Sequence, residues 1–346
     1  MKKIVSFLFV LSLATGSKAQ VLQFDNEAIT ADFVNNLSIY ANAFVSPLLG
    51  TYSPALVASN HITAKTLKPY AVGLGISASG TIVKADQLEY NFNALGFSNK
   101  LSLANPDKPI IPSILGGNTT AEFLYEVEDE TGIYSYQQSI EVLDGFTSIE
   151  NTIPSAAINL SVGLPMNTEV YLRALPEIEI DGLSNYLVGG GVKHVISQYF
   201  QESDEPEFNV ALAGFVGKTK FTLTPKNFLE GENQEVVFID NTYSGELIAS
   251  YDKKFFSIFG LVGFYSGSTE FAINGTYRYE VEQNGLVQEA FISKDPVNLK
   301  RNNSGIQTQI GASLNFSSMG ALALSYAMAE SNSVAFNLRF YINNRQ

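Results

Sequence analysis

The chain has 346 residues, a net charge of −13 and no cysteine. That composition excludes a disulfide-stapled exported domain and argues against nucleic acid or anionic surfaces as partners. Only 16% of residues are charged against an ordinary 45% hydrophobic content, a balance that suits one face toward lipid and one polar but largely uncharged face.

Lys2 and Lys3 precede an apolar run, Ile4 to Leu13, and Ser17-Lys18-Ala19 supplies a small-x-small cleavage site before Gln20. Residues 1–19 therefore read as a cleaved signal peptide, since the apolar run is about half the roughly 20 residues a spanning helix needs. No Cys follows the cleavage site, so a lipid anchor there is excluded. Removing Lys2, Lys3 and Lys18 makes the mature chain more acidic still, which acidic loops explain without a cation site.

Residues 20–68 form the second segment. Ile29, Phe33, Leu37, Tyr40 and Phe44 recur at spacings of a helical face, which predicts a helix over 25–45. Asp25 or Asn26 caps its start, Glu27 lies in its first turn, and Pro47 ends it. Residues 46–69 are expected to be irregular, with Pro47, Gly50, Pro54 and Pro69. The helix either lies in the periplasm or folds back on this linker into a lumen. Burial of each large apolar side chain is worth roughly 1.5–3 kcal/mol, which favours a lumenal plug.

From residue 69 to 346 the texture is alternation. Tyr70, Val72, Leu74, Ile76 and Ala78 interleave with Gly73, Gly75, Ser77 and Ser79, the pattern of a strand between lipid and water. Further strands are expected near 87–97, 119–128, 133–142, 155–164, 168–180, 185–200, 207–223, 236–252, 255–267 and 269–282. A polar connection over 283–304 precedes the three clearest strands, 305–316, 320–328 and 333–342. In the last of these Val334, Phe336, Leu338, Phe340 and Ile342 oppose Asn337 and Arg339. A secreted β-sandwich alternates too, but its strands run about 5–6 residues, whereas several here approach the ~9–11 that cross a bilayer at a tilt. The 24 Phe and 17 Tyr, with no Trp, suffice for aromatic girdles. The expected fold is all-β: a transmembrane antiparallel β-barrel of about 12–14 strands with an N-terminal lumenal helix.

Residues 155–200 carry a resemblance. Val162-Gly163-Leu164-Pro165, Thr168-Glu169, Arg173-Ala174-Leu175-Pro176, Gly189-Gly190-Gly191-Val192-Lys193-His194 and Ser197-Gln198-Tyr199 resemble an uncharacterised outer-membrane family of Gram-negative bacteria. That family is distantly similar to long-chain fatty-acid transporter barrels. The resemblance implies a barrel with a lumenal N-terminus and implies no activity; the likeness to transporters is one of fold.

Parity assigns the chemistry-bearing residues. Glu169 and Arg173 oppose Val170 and Leu172 and so face the lumen, and Lys193, Lys218, Lys220, Glu246 and Arg339 are placed there too. Such charges either pair and hold wall or plug, or bias which solutes pass. His194 shares parity with Val192 and Ile196 and points outward, with no neighbouring Ser to make a hydrolytic pair; a polar anchor at the membrane interface is the expected role. The acidic runs Glu126, Glu128, Asp129, Glu130 and Glu202, Asp204, Glu205, Glu207 lack the spacing of a calcium loop and read as solvated tips. Gly73-Leu74-Gly75 and Gly189-Gly190-Gly191 precede no helix; they make room for a plug or sharpen curvature.

The expected protein is thus an outer-membrane channel or transporter for small or hydrophobic solutes, with a structural or surface-interaction barrel as the alternative. It is expected not to be an enzyme and to need no cofactor or metal. Its expected partners are outer-membrane lipid and the barrel-assembly machinery, which reads an amphipathic terminal strand, together with the solute itself.

Overall fold

The structure, a computed structural model, describes residues 26–128, 135–145, 151–180, 182–201, 206–224, 231–283, 286–316 and 319–343. The signal peptide, Asp129, Glu130, and residues 202–205 of the second acidic run lie outside the described residues. One long helix, α1 (Asn26–Val57), precedes β1 (Val72–Ile82). Five short strands follow: β2 (Glu89–Asn91), β3 (Leu101–Leu103), β4 (Ile110–Pro112), β5 (Glu122–Glu128) and β6 (Ser135–Glu141). The remaining strands are β7 (Thr152–Leu164), β8 (Thr168–Ile180), β9 (Leu183–Val195), β10 (Phe208–Leu223), β11 (Gly231–Asp252), β12 (Phe256–Gln283), β13 (Leu286–Lys294), β14 (Val297–Asn315), β15 (Gly320–Met328) and β16 (Asn332–Ile342).

Ten of these close into an antiparallel ring, in the order β1-β7-β8-β9-β10-β11-β12-β14-β15-β16 and back to β1. The seam pairs Val72 with Ile342 and Ile82 with Asn332. A bilayer offers no water to backbone groups, and closure pairs them all within the protein.

The ring has ten strands rather than the expected 12–14. Segments 87–97, 119–128 and 133–142 are not wall: they belong to two small sheets, β2-β4 and β3-β5-β6, inside the long β1–β7 connection. Their alternation has another cause, because Leu101, Leu103, Phe123 and Tyr125 bury one face of a small sheet against α1. Segments 255–267 and 269–282 are one 28-residue strand, β12.

Alternation sorts the wall. On β1 the burial pattern switches at almost every residue, leaving Leu74 and Ile76 exposed while Ser77 and Thr81 are buried. On β16, Val334, Phe336 and Phe340 are exposed while Asn337 and Arg339 are buried. One end of the ring carries the connections from β7 to β8, β9 to β10, β11 to β12 and β14 to β15, with the strand ends Val72 and Ile342. The opposite end carries the 83–151 connection and the β12–β13 extension. They are the turn end and the loop end below.

Helix α1 does not stop at Pro47 and contains both Pro47 and Pro54. Each proline removes a helical hydrogen bond, and groups from elsewhere compensate nearby. Ile114 donates its backbone N–H to the Phe44 carbonyl at 2.8 Å. Thr269 Oγ1, at 3.2 Å, and Asn303 Nδ2 both donate to the Leu49 carbonyl. With its 32 residues, the helix is about 48 Å long at 1.5 Å per residue.

The predicted apolar stripe sits at the loop end. Phe33 packs edge-on against Tyr125 at 5.6 Å, Tyr40 edge-on against Phe123 at 5.3 Å, and Leu37 against Ile273, Tyr277 and Val297. Phe44 joins the same core; the side chain of Ile29 lies outside the described residues. The inside of the ring is occupied instead by residues 46–68. The helix therefore does not fold back on a long linker. It continues into the ring, and residues 58–68 run on to the turn end, where Tyr70 donates its N–H to the Gly163 carbonyl at 2.7 Å.

Because the chain lacks Trp, the wall can be tested one residue at a time. Phe336→Trp should be quenched by lipids brominated on the acyl chain, and Phe215→Trp, on the inner face, should not. Equal quenching of both would contradict the assigned faces.

Candidate functional site

The inner wall and the thread inside it make one site, and its polar contacts decide what it can do. Arg173 of β8 is 1% exposed. Its Nη1 donates to the Leu56 carbonyl at 2.6 Å and to Asn60 Oδ1, while Nη2 donates to Ser59 Oγ at 2.7 Å and Ser77 Oγ at 3.2 Å. Leu56 lies in the last turn of α1, where carbonyls have no helical partner and a cation is favoured. The guanidinium also stands over the Phe215 ring, 5.9 Å from its centre.

Toward the turn end the pattern repeats. Lys193 of β9 donates to the Lys65 carbonyl at 2.9 Å and the Thr63 carbonyl at 3.3 Å, and pairs with Glu169 of β8 at 3.5 Å. Glu169 accepts the Leu67 N–H at 3.0 Å. Glu246 of β11 meets His61 Nε2 at 3.1 Å, and His61 stands edge-on to Tyr171 at 5.3 Å. Arg339 of β16 donates to the Asn60 carbonyl at 2.7 Å. The five sequence-predicted residues Glu169, Arg173, Lys193, Glu246 and Arg339 thus all lie on the inner face, buried, and each contacts residues 56–67.

Glycine allows the thread its closest approaches. A Cβ on Gly267 would strike Ser53, and one on Gly163 would strike the carbonyls of Leu67 and Lys68. The triplet Gly189–Gly191 instead seats rings: Cβ atoms on Gly189 and Gly191 would meet Phe215 and Tyr171.

Two placements differ from expectation. Lys218 is exposed and Lys220 only half-buried, because the inner positions of β10 are the alternate residues Phe215 and Thr219. Long lysine stems on the outer face carry their charge to the polar rim. His194 is half-buried at the turn end, bonded to Thr168 Oγ1 at 2.8 Å and Tyr199 OH at 2.9 Å.

The sequence reading missed the thread's own polar residues, Ser59, Asn60, His61 and Thr63, and missed Asp240. Asp240 is fully buried on β11 and accepts from Ser53 Oγ at 2.7 Å and Thr269 Oγ1 at 3.1 Å. Its parity with Glu246 was the available signal. Nothing periodic marks residues 58–68, so no pattern could have revealed them.

A second group of inner side chains is buried without hydrogen-bond partners. Both amide atoms of Gln307 and of Asn337, the Gln309 Oε1 and the Ser313 Oγ are in this state, on residues at most 3% exposed. They lie on β14 and β16, across the ring from Glu169, Lys193 and Glu246, with Arg339 beside Asn337 on β16.

The family model for a "Family of unknown function (DUF6588)" matches residues 1–342. The chain belongs to this family. No curated protein matches it. Among solved structures, the COG4313 outer membrane channel from Pseudomonas putida F1 is 11% identical, with 80% of this chain and 97% of that chain covered and a TM-score of 0.34. The translocator domain of autotransporter NalP from Neisseria meningitidis is 9% identical, with 94% and 100% covered and a TM-score of 0.28. A Pseudomonas aeruginosa FadL homologue is 6% identical, with 80% and 91% covered and a TM-score of 0.23. At such scores they add nothing to the reading of this family member's site.

Removing the guanidinium strands the Leu56, Ser59 and Asn60 groups against a buried wall. Arg173→Leu should loosen the thread by about 3 kcal/mol, the range found when one partner of a buried polar pair is deleted. Limited proteolysis of the detergent-solubilised protein should then cut within residues 46–68. Arg173→Lys keeps the charge but loses the fork and should fall between. Unchanged protection in Arg173→Leu would show that the clamp does not hold the thread.

Proposed function

We propose that this protein is a passive outer-membrane conduit, closed at rest by residues 46–68 and opened when the wall releases residues 56–68 and that part of the thread shifts aside within the ring. The unpartnered amides and hydroxyl on β14 and β16 carry the reading. Each buried polar group left without a partner costs about 1–3 kcal/mol, and apolar residues of similar size would remove that cost. A wall that served only to pack around a permanent plug has no use for them. A wall that is periodically wetted does, since water or solute then satisfies every one.

The grip on the thread fits the same reading. Below Leu56 it is made mostly of hydrogen bonds to side chains and carbonyls. Water can replace these at a net cost of about 1.5–3 kcal/mol each where a charged wall group takes part. The longest connection, 83–151, stands at one end of the ring with the β12–β13 extension, as long loops do at the external face of outer-membrane barrels. On that orientation the helix enters from outside and the thread reaches the periplasmic mouth.

The structural alternative has one specific observation in its favour: Val57 packs against Tyr171, Phe215 and Tyr265, an apolar contact that resists wetting. A covalent lock separates the two. Thr63 Oγ1 and Ser250 Oγ are 3.1 Å apart, close enough for a disulfide in the Thr63→Cys/Ser250→Cys protein, and no native thiol interferes. In planar bilayers the oxidised protein should be silent, and reductant should restore conductance. No conductance in the reduced state and the wild type would favour the structural barrel, and equal conductance in both states would overturn release of the thread as the opening step.

A further inference from the structure

The inner wall is chemically divided, and the division bears on what passes. Its acidic and lysine side chains, with Arg173, stand on β8, β9 and β11, and each is bonded to the thread or to its neighbours there. Across the ring, the inner faces of β14 and β15 carry no charge between Asn303 and Ala327, only amides, serines, alanines and glycines. Register brings the polar ones together. Gln309 lies opposite Ala327 and Gly311 opposite Ser325, while Ala323 lies between Ser313 and Asn337. Gln309 Nε2 donates to Ser325 Oγ at 2.6 Å. The result is a slanted track of Gln307, Gln309, Ser325, Ser313 and Asn337, where most of the side-chain hydrogen-bonding capacity is unused.

Resting on the conduit reading, we infer that this track is the permeation path and that its solute is small, uncharged and rich in hydroxyl or amide groups. A carboxamide offers both donor and acceptor, which matches a hydroxyl at any orientation. A hydrocarbon chain sliding along the track would leave the same amides unpaired, as the thread does. A cation would shed water with no opposite charge to meet it, and Arg339, beside Asn337 on β16, is already engaged by the Asn60 carbonyl. On this side Ile62 packs with the small side chains of Ala321 and Ala323 and with Tyr341, while Arg339 holds the Asn60 carbonyl and Asn303 the Leu49 carbonyl.

The test uses the full chain in liposomes, with swelling measured in a neutral pentose and in the anion of the corresponding sugar acid, and KCl conductance measured in parallel. The pentose should enter faster than the acid. Gln307→Leu/Gln309→Leu/Asn337→Leu should slow the pentose by about tenfold, equivalent to roughly 1.4 kcal/mol of lost hydrogen bonding, with KCl conductance little changed. The isosteric Gln307→Glu should assemble normally, confirmed by its gel migration before and after heating, and should slow the pentose while raising cation conductance. Equal entry of pentose and acid, or pentose entry unaffected in both variants, overturns the track and leaves the conduit standing. A wild type that passes neither KCl nor any solute overturns the conduit and the track with it.

Discussion

The guanidinium of Arg173 is the point at which the two parts of the molecule meet. It is carried by a wall strand and buried where no bulk water reaches, so its charge has to be met by the protein. The Leu56 carbonyl at the end of α1 meets it, together with Ser59 and Asn60. The helix end needs a donor as much as the cation needs an acceptor. Wall and thread are therefore each incomplete alone, and the lumen is filled by a segment that the wall itself requires.

That dependence extends outward in both directions. Toward the loop end the contacts become apolar, with Tyr52 set against Phe221 and Phe238 at 5.6 and 5.3 Å, and α1 then enters the core it shares with β3 and β5. Toward the turn end the contacts become polar and the backbone irregular. The upper half of the segment is anchored as a protein core is anchored. The lower half is held as a ligand is held, by directional bonds to single atoms. A segment built in this way has a fixed end and a releasable end.

Much of the wall was legible because the period of two is imposed by geometry on every strand that separates lipid from the interior. β1 and β16 show it most clearly, and parity alone placed Glu169, Arg173, Lys193, Glu246 and Arg339. Parity failed at β10, where the inner positions are Phe215 and Thr219 and the lysines stand outside. The strand count failed because a small sheet with one buried face alternates just as a barrel strand does. The expected stop at Pro47 failed because distant groups hold the helix on both sides of it, Ile114 N–H on the Phe44 carbonyl and Thr269 and Asn303 on the Leu49 carbonyl. The thread's own contacts had no signature, since Asn60 and His61 gain meaning only from the side chains that surround them.

The direction of the thread has a consequence for biogenesis. Residues 26–45 are tied into a broad cap at one mouth of the ring, and β1 starts at the other, so the chain passes through the closed hoop with both ends fastened. A cap of that breadth cannot be pulled through a finished hoop. The seam between β1 and β16, joining Val72 to Ile342, has to zip up around the thread after it is in place. This is a pairing between the two extremes of the barrel sequence, the kind of remote contact that forms slowly. The strand that closes the seam thus lies far along the chain from the segment it encloses.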